Sequence, residues 1–160
     1  MKIELLNDKY IGDVEKLIIE SWSGPFIAVH RQLYDLRELP CIVALLEEEL
    51  LGYCYYRFSN NECEIMAIES IKQNIGVGTA LIYDIIKKAT EAKCKRVYLE
   101  TTNDNTHAFR FYQRRGFTMI AYRIDEMHYS RQLKPSIPLL GEDDIPIKDE
   151  IEFELLLYNS

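Results

Sequence analysis

The sequence contains no long hydrophobic run. Its longest apolar stretches span only a few residues, such as CIVALL at 41–46, whereas a helix that crosses a membrane needs about 20. The first twenty residues mix acidic and basic side chains into the apolar pattern, which is unlike a secretory signal peptide. We therefore expect a cytoplasmic protein that does not use a membrane as a partner.

Cysteine is also sparse. The four cysteines, Cys41, Cys54, Cys63 and Cys94, show no CxxC spacing and have no histidine cluster nearby. A structural zinc site or a disulfide framework is therefore excluded, and we expect buried thiols and no metal.

Positive charge is scarce as well. The formal net charge is −7, and residues 141–160, with one lysine against seven acidic residues, carry −6 of it. Nucleic acid is excluded as a partner, because its binding requires a basic surface. The 160 residues, of which 48% are hydrophobic, fit a single domain over 1–160. Within it, 125–160 is expected to form a C-terminal extended segment and a final strand.

Apolar periodicity predicts alternating strands and helices. A strand, a helix and a second strand over 62–101 form a βαβ unit, in which the two strands are parallel. In EIEFEL (150–155), the acidic and apolar residues alternate, which predicts a half-buried strand that completes the sheet and borders the acceptor site. The remaining predicted strands are 2–6, 41–46, 50–58 and 117–124, and the predicted helices are 9–22, 28–38, 75–92 and a segment ending at Arg115.

Two glycines open the helix near 75–92, in the stretch QNIGVGTALI (73–82). A P-loop would need a lysine after Gly78, and a dinucleotide fingerprint would need a glycine where Leu81 stands, so neither motif fits. Free N–H groups at such a helix start, with the positive end of the helix dipole behind them, can bind an anion. A tight turn explains the same glycines.

A second motif, TTNDNTHAFRFYQRRGF (101–117), follows the next strand. Together with QNIGVG it resembles the GCN5-related N-acetyltransferase superfamily, which pairs (Gln/Arg)-x-x-Gly-x-(Gly/Ala) with Asn-x-x-Ala-x-x-Phe-Tyr-x-x-x-Gly-Phe. The resemblance covers about 60–124. Within the superfamily, the chain is similar to a bacterial branch whose acceptor is unidentified. The matching residues are Gln73, Gly76, Gly78, Asn105, Ala108, Phe111, Tyr112, Gly116 and Phe117.

The resemblance implies an α/β (α+β) acyl-CoA N-acyltransferase fold. Its central sheet is mixed and mostly antiparallel, has helices on both faces, and its fourth and fifth strands, here 62–70 and 96–101, are parallel and splayed. It also implies acetyl-CoA as co-substrate, with the pantetheine along the backbone of the first strand and the pyrophosphate at the glycine loop. The implied cofactor-binding residues are Met66, Ala67, Ile68, Gln73, Asn74, Gly76, Val77, Gly78, Thr79, Asn105, Ala108 and Phe109.

The implied reaction is direct attack of a primary amine, from a small molecule or a peptide, on acetyl-CoA. A lysine-like amine has a pKa of about 10.4, so a general base is needed near pH 7. In this family the tyrosine that matches Tyr112 often protonates the leaving thiolate. Glu64 is the first candidate for the base, because it lies on the splayed strand and the two-residue period puts Glu62, Met66 and Ile68 on its face. Glu62, Glu100 and a water are the alternatives.

Several of these residues have a simpler explanation. Tyr112 is one of eleven tyrosines and could only pack, Glu64 could be a solvated edge carboxylate, and Asn105 is a good N-cap in any helix. Arg114 and Arg115 could approach the CoA phosphates, or could only favour a helix C-terminus. The three histidines share no spacing and are interpreted as surface or packing residues.

The acceptor is not identified by the sequence. Trp22, Phe26 and Tyr34 lie where the family usually builds its acceptor pocket, although they also suit a helix packed on the sheet. Asp143 and Asp144 could attract a cationic amine or could belong to a solvated loop. Monomer and homodimer stay open, and a CoA-binding regulatory or interaction module without turnover is the alternative function.

Overall fold

The structure is a computed structural model that describes residues 1–158; Asn159 and Ser160, the last positions of the predicted domain, lie outside the described residues. In the described part, short 3₁₀ helices form at Leu36–Glu38 and Glu142–Asp144. The strands are β1 (Lys2–Leu5), β2 (Phe26–Val29), β3 (Gln32–Asp35), β4 (Cys41–Leu46), β5 (Glu49–Ser59), β6 (Glu62–Ser70), β7 (Arg96–Thr102), β8 (Thr118–Arg123) and β9 (Glu150–Leu156). The α-helices are α1 (Asp8–Trp22), α2 (Val77–Glu91), α3 (Thr106–Arg114) and α4 (Met127–Leu133).

Seven strands form one sheet in the order β1-β4-β5-β6-β7-β9-β8, and β2 pairs with β3 in a separate hairpin. Within the large sheet only β6 and β7 are parallel, and every other neighbouring pair is antiparallel. The predicted fold class is therefore confirmed, including the parallel pair that the βαβ pattern predicted.

Helices cover both faces of the sheet, and each buries one apolar stripe. Leu81, Ile82 and Ile85 of α2 are fully buried in the core on one face, which also contains residues of α3. Val14 and Ile18 of α1 are fully buried in the core on the other face. No helix within residues 1–158 is long and apolar enough to cross a bilayer.

The parallel strands separate because β6 contains a β-bulge at Met66. Residues 63–65 of β6 pair with residues 97–99 of β7, and the ladder ends there. On the other side of β6 the register moves from Ile65 to Ala67, so that Met66 is the extra residue. Met66 and Ala67 both lie in the α1-side core, whereas Ile68 packs on the opposite side. The bulge breaks the two-residue period, so the prediction that Ile68 shares the face of Glu64 is wrong.

The predicted helix over 28–38 is also wrong. These residues form most of the β2–β3 hairpin and the 3₁₀ helix Leu36–Glu38. The hairpin turns at His30 and Arg31, which both have φ of +56°. This two-residue turn usually contains Asn-Gly or a similar pair, so the sequence lacks its usual signal.

The C-terminal region contains a helix that was not predicted, because α4 forms within the segment expected to be extended. The final strand is β9, as predicted, but it lies between β7 and β8 and not at an edge of the sheet. Its apolar face, with Ile151 and Phe153, is buried. On the opposite face Glu150 and Glu152 are also buried, at 5% and 7% exposed, because arginines of the neighbouring strands pair with them.

Candidate active site

A cavity of about 500 Å³ opens where β6 and β7 diverge, beside the start of α2 and one face of α3. Of the cofactor-binding residues expected from the sequence, all except Phe109 line it. The Phe109 ring packs against the Phe153 ring, with 5.9 Å between centroids. The expected residues in the wall are Met66, Ala67, Ile68, Gln73, Asn74, Gly76, Val77, Gly78, Thr79, Asn105 and Ala108.

The N-terminus of α2 presents free backbone N–H groups to this cavity. Gly76 is the N-cap with φ of +83°, and it supplies no capping side chain. The N–H groups of Val77, Gly78 and Thr79 have no acceptor among the described residues. Because the helix dipole adds partial positive charge here, the site suits a phosphate.

The two glycines have different structural reasons. Gly76 adopts a conformation that other residues avoid, although a Cβ there would meet nothing within 4 Å. A Cβ on Gly78 would lie 3.0 Å from Cζ of Phe111, so Gly78 lets α3 pack closely on α2. The sequence predicted that both glycines make room for an anion. At Gly78 the packing of α3 on α2 also requires glycine.

Basic side chains surround the same cavity. The Arg115 guanidinium lies 3.8 Å from the centroid of the Phe111 ring and donates from Nε to Thr79 Oγ1 at 3.0 Å, which holds it beside the start of α2. The sequence pointed to Arg114 and Arg115 only. His107, Arg110 and Arg114 follow one another at spacings of three and four residues, which puts them on one face of α3. This spacing could have revealed His107 and Arg110 from the sequence. The additional basic residues in the wall are Lys72, His107 and Arg110.

Tyr112 reaches this cavity from inside an aromatic cluster. Its ring lies 5.1 Å, 5.5 Å and 5.8 Å from those of Phe111, Phe117 and Phe153. Burial raises the pKa of the phenol above its usual value of 10, so the hydroxyl stays protonated at neutral pH. No group among residues 1–158 hydrogen-bonds that hydroxyl. The Tyr112 ring therefore packs in the core, while its hydroxyl is free to donate a proton.

A second cavity, of about 430 Å³, adjoins the first. Trp22 lines both, as the expected acceptor site required, whereas Phe26 and Tyr34 line neither. Asp143 and Asp144 are exposed and lie outside both walls, so the solvated-loop interpretation fits them better. The residues shared by the two cavities are Trp22, Ile65, Met66, Glu100, Thr101 and Asn105.

Glu64 lines only the second cavity, and its carboxylate is fully engaged. Its oxygens lie 2.7 Å from Nε2 of His30 and 2.9 Å from Nε of Arg57, and the Tyr98 hydroxyl donates at 3.3 Å. The side chain is only 2% exposed, so it is not a solvated edge carboxylate. The alternative base Glu62 pairs with Arg96 and lies outside both cavities.

Glu100 is the carboxyl group at the junction of the two cavities. Its side chain is 3% exposed, and Oε1 lies 3.4 Å from both Nδ1 of His30 and Nη1 of Arg123. Oε2 is buried and finds no donor among the described residues. Burial, the hydrogen bond with Glu150 and the charge of Glu150 raise the pKa of Glu100 to about 9.

His30 connects both of these glutamates and was interpreted from the sequence as a surface or packing residue. Its hydrogen bond with Glu64 raises the pKa of the imidazole, although burial opposes this. No sequence signal pointed to it, because its partners lie 34 and 70 positions further along the chain.

Residues 6–117 match the family described as "Acetyltransferase (GNAT) family". The chain belongs to the GNAT family. Among its relatives, the uncharacterized protein YdhI of Bacillus subtilis (strain 168) is 37% identical over 137 residues, which cover 85% of this chain and 86% of that protein. N-alpha-acetyltransferase 30 of Xenopus laevis is 27% identical over 116 residues, covering 67% of this chain and 42% of that protein.

A solved acetyltransferase structure shows the same fold. It is the crystal structure of a Bacillus subtilis acetyltransferase in complex with CoA, with a TM-score of 0.72 and 24% identity, and the match covers 98% of this chain and 99% of that chain. The resemblance to the GCN5-related superfamily that the sequence motifs indicated is thereby confirmed.

Proposed function

We propose that this GNAT chain is an acetyl-CoA-dependent N-acetyltransferase that acts on a primary amine. One observation carries the proposal: a cavity with phosphate-binding features meets a second, acidic cavity, and Glu100 lies in the wall of both. The first cavity suits an anionic cofactor, and the second suits a cationic acceptor.

The residues present fit acetyl-CoA. The free N–H groups of Val77, Gly78 and Thr79 would hold the pyrophosphate, and the β6 backbone beyond Ile65, where its pairing with β7 ends, would hold the pantetheine. When bound, the cofactor supplies an acetyl group activated as a thioester. This chain's own residues then orient that group toward the second cavity and manage the protons.

Glu100 is the base that the geometry favours, in place of Glu64. Once deprotonated, a glutamate whose pKa is raised toward that of the amine accepts the ammonium proton more readily than an ordinary glutamate does. Deprotonated Glu100 first accepts one proton from the acceptor ammonium; the amine nitrogen then bonds to the acetyl carbon while the carbon–sulfur bond breaks, and the second nitrogen proton leaves to solvent, which restores the proton that Tyr112 gives up. Tyr112 donates its proton to the departing sulfur.

Turnover itself is tested by measuring CoA thiol release with acetyl-CoA over a panel of amines, with the acetylated product identified by mass spectrometry. Release with at least one amine is the expected result. Tight CoA binding without release for any acceptor would instead favour a CoA-binding regulatory or interaction module.

Replacing Tyr112 with phenylalanine should lower kcat by about 10²-fold, in the usual range for the loss of a general acid. The ring keeps its packing against Phe117 and Phe153, so CoA affinity and melting temperature should stay close to those of the parent. Steady-state kinetics, together with calorimetric CoA titration, check this. An unchanged kcat in an assay limited by the chemical step would remove Tyr112 from the mechanism.

Changing Gly78 to aspartate should weaken CoA binding at least tenfold more than changing it to asparagine. The two side chains have nearly the same size, so both press equally on Phe111, and only the charge at the helix start differs. Aspartate would repel the pyrophosphate and compete for the free N–H groups. If calorimetry gives the same CoA Kd for both variants, the pyrophosphate lies elsewhere.

A further inference from the structure

The wall of the acceptor cavity contains more acidic than basic side chains, although Glu64 and Glu150 are paired with Arg57 and Arg123 from outside it. Five carboxyl side chains line it, and Lys134 is the one lysine or arginine in its wall among the described residues. Glu100 is the member of this set whose buried Oε2 has no partner. The five acidic residues are Glu64, Glu100, Asp104, Glu142 and Glu150.

The ammonium group of Lys134 is already engaged within the protein. It donates to the carbonyl oxygens of Trp22 and Phe26, the latter at 2.7 Å. Because Trp22 is the last residue of α1, the ammonium lies at the negative end of that helix. Burial lowers the pKa of Lys134. Among the described residues, the cavity wall therefore contains no lysine or arginine that is free to pair with a carboxylate of the substrate.

Residues 134–147, which we call the strap, form the outer wall of the cavity through side chains such as Ile137, Pro138 and Ile147. Nη2 of Arg131 donates to the carbonyl oxygens of Pro138 and Ile147, each at 2.6 Å. Nδ2 of Asn103 donates to the carbonyl of Pro146 at 2.8 Å. These bonds hold the strap against the body of the protein.

The middle of the strap is packed just as closely. Asp104 Oδ2 accepts from the backbone N–H of Glu142 at 3.3 Å, and a Cβ on Gly141 would lie 2.0 Å from the same oxygen. The strap thus covers part of a cavity of about 430 Å³, which is in the size range of small-molecule sites.

We propose that the acceptor is a small organic amine that carries no carboxylate, and not the amino terminus of a protein. The inference rests on the proposed function and specifies its substrate. An ammonium group is attracted by the acidic wall, whereas a carboxylate on the same molecule would lose its water beside Glu100 and Glu150 without gaining a free cation. The strap lines the same cavity and leaves less room for a polypeptide than for a small amine.

Matched pairs of substrates test this. Each amine is compared with the amino acid from which it differs only by a carboxylate: 1,4-diaminobutane with ornithine, 1,5-diaminopentane with lysine, and 2-phenylethylamine with phenylalanine. Short amidated peptides with a free amino terminus are assayed in parallel. We expect at least one amine to exceed its amino acid, and every peptide, by about 100-fold in kcat/KM. Equal or better rates with the amino acids or the peptides would overturn the inference while supporting the proposed function.

A variant pair attributes the preference to the wall. Both side chains are exposed, but Glu142 lines the cavity and its neighbour Asp143 does not. Glu142→Gln should raise the KM for the preferred amine several-fold without changing kcat, and Asp143→Asn should change neither. Equal effects of the two substitutions would contradict a role for the cavity wall.

If no substrate of any class is turned over, the proposed function fails and the inference is decided by binding. Calorimetry with the CoA-loaded protein then compares the three amines with their amino acids. Tighter binding of an amine, weakened by Glu142→Gln and not by Asp143→Asn, supports the inference. Tighter binding of the amino acids, or no binding of any amine, overturns it.

Discussion

Replacing Glu100 with glutamine is expected to lower kcat/KM by about 10²- to 10⁴-fold, the range for the loss of a general base. Glutamine has nearly the same shape as the protonated carboxyl group and can donate to Glu150, so the local packing should be retained. What it cannot do is accept a proton from the acceptor ammonium. The measurement is the pH dependence of kcat/KM from pH 6 to 10 with the best amine of the panel.

The sign of that pH dependence follows from the raised pKa. A base must be deprotonated, so the activity of the parent should rise with pH through about 9, the pKa of Glu100, and level off above it. Glu100→Gln should lack this rise, whereas Glu64→Gln should keep it, because Glu64 is held by His30 and Arg57. The reverse pattern would return the role of the base to Glu64, and a rise in both variants would assign it to a water.

The same substitution has a consequence for stability. Because the pKa of Glu100 is raised from 4.5 to about 9 in the folded protein, its stabilising contribution is fully present below about pH 4.5 and is lost as the pH rises through 9. Glu100→Gln removes this dependence. The melting temperature should therefore fall less between pH 6 and pH 9 in the variant than in the parent.

Replacing Phe153 with alanine is expected to cost about 3–5 kcal/mol of the free energy of unfolding, as for other buried aromatic residues. Phe153 is fully buried on β9 and contacts the rings of Phe109 and Tyr112. For a domain of this size the melting temperature should fall by roughly 6–20 °C. The cavity left behind also frees the Tyr112 ring, so kcat should fall together with stability.

Leu156→Ala is the matched control, because Leu156 lies on the same strand and is 52% exposed. Removing its side chain should change the free energy of unfolding by no more than about 0.5 kcal/mol. Urea unfolding of both variants makes the comparison. Similar losses in the two would show that β9 contributes through its backbone pairing and not through its buried face.

The fold was largely predictable because most of its elements have strong local signals. The apolar stripe of α2 and the alternation in β9 are periodic over several turns or residues, and their burial follows from that pattern. The β2–β3 hairpin was missed because its turn uses His30 and Arg31 where Gly or Asn would have marked it. The bulge at Met66 was missed because a bulge is a change of register between two paired strands, and nothing in the residue Met66 itself marks it.

The cofactor half of the candidate site was more predictable from the sequence than the acidic acceptor half. The cofactor half depends on two continuous motifs, so its residues could be named one by one, and only Phe109 faces elsewhere. The acidic half depends on contacts between distant segments. The choice between Glu64 and Glu100 required knowing that Arg57 engages the first and that Glu150 adjoins the second, which no local pattern shows.

The position of β9 between β7 and β8 has a consequence for the order in which the protein can fold during synthesis. β9 leaves the ribosome after both of its neighbours, so these two strands have no partner on their facing edges until it arrives. Unpaired edges attract other chains, and such long-range pairing is slow. Because Glu150 also arrives with β9, the acidic junction beside Glu100 is completed only in the final step. A nascent chain stalled before β9 should therefore aggregate, and it would also lack Glu150, which together with burial raises the pKa of Glu100.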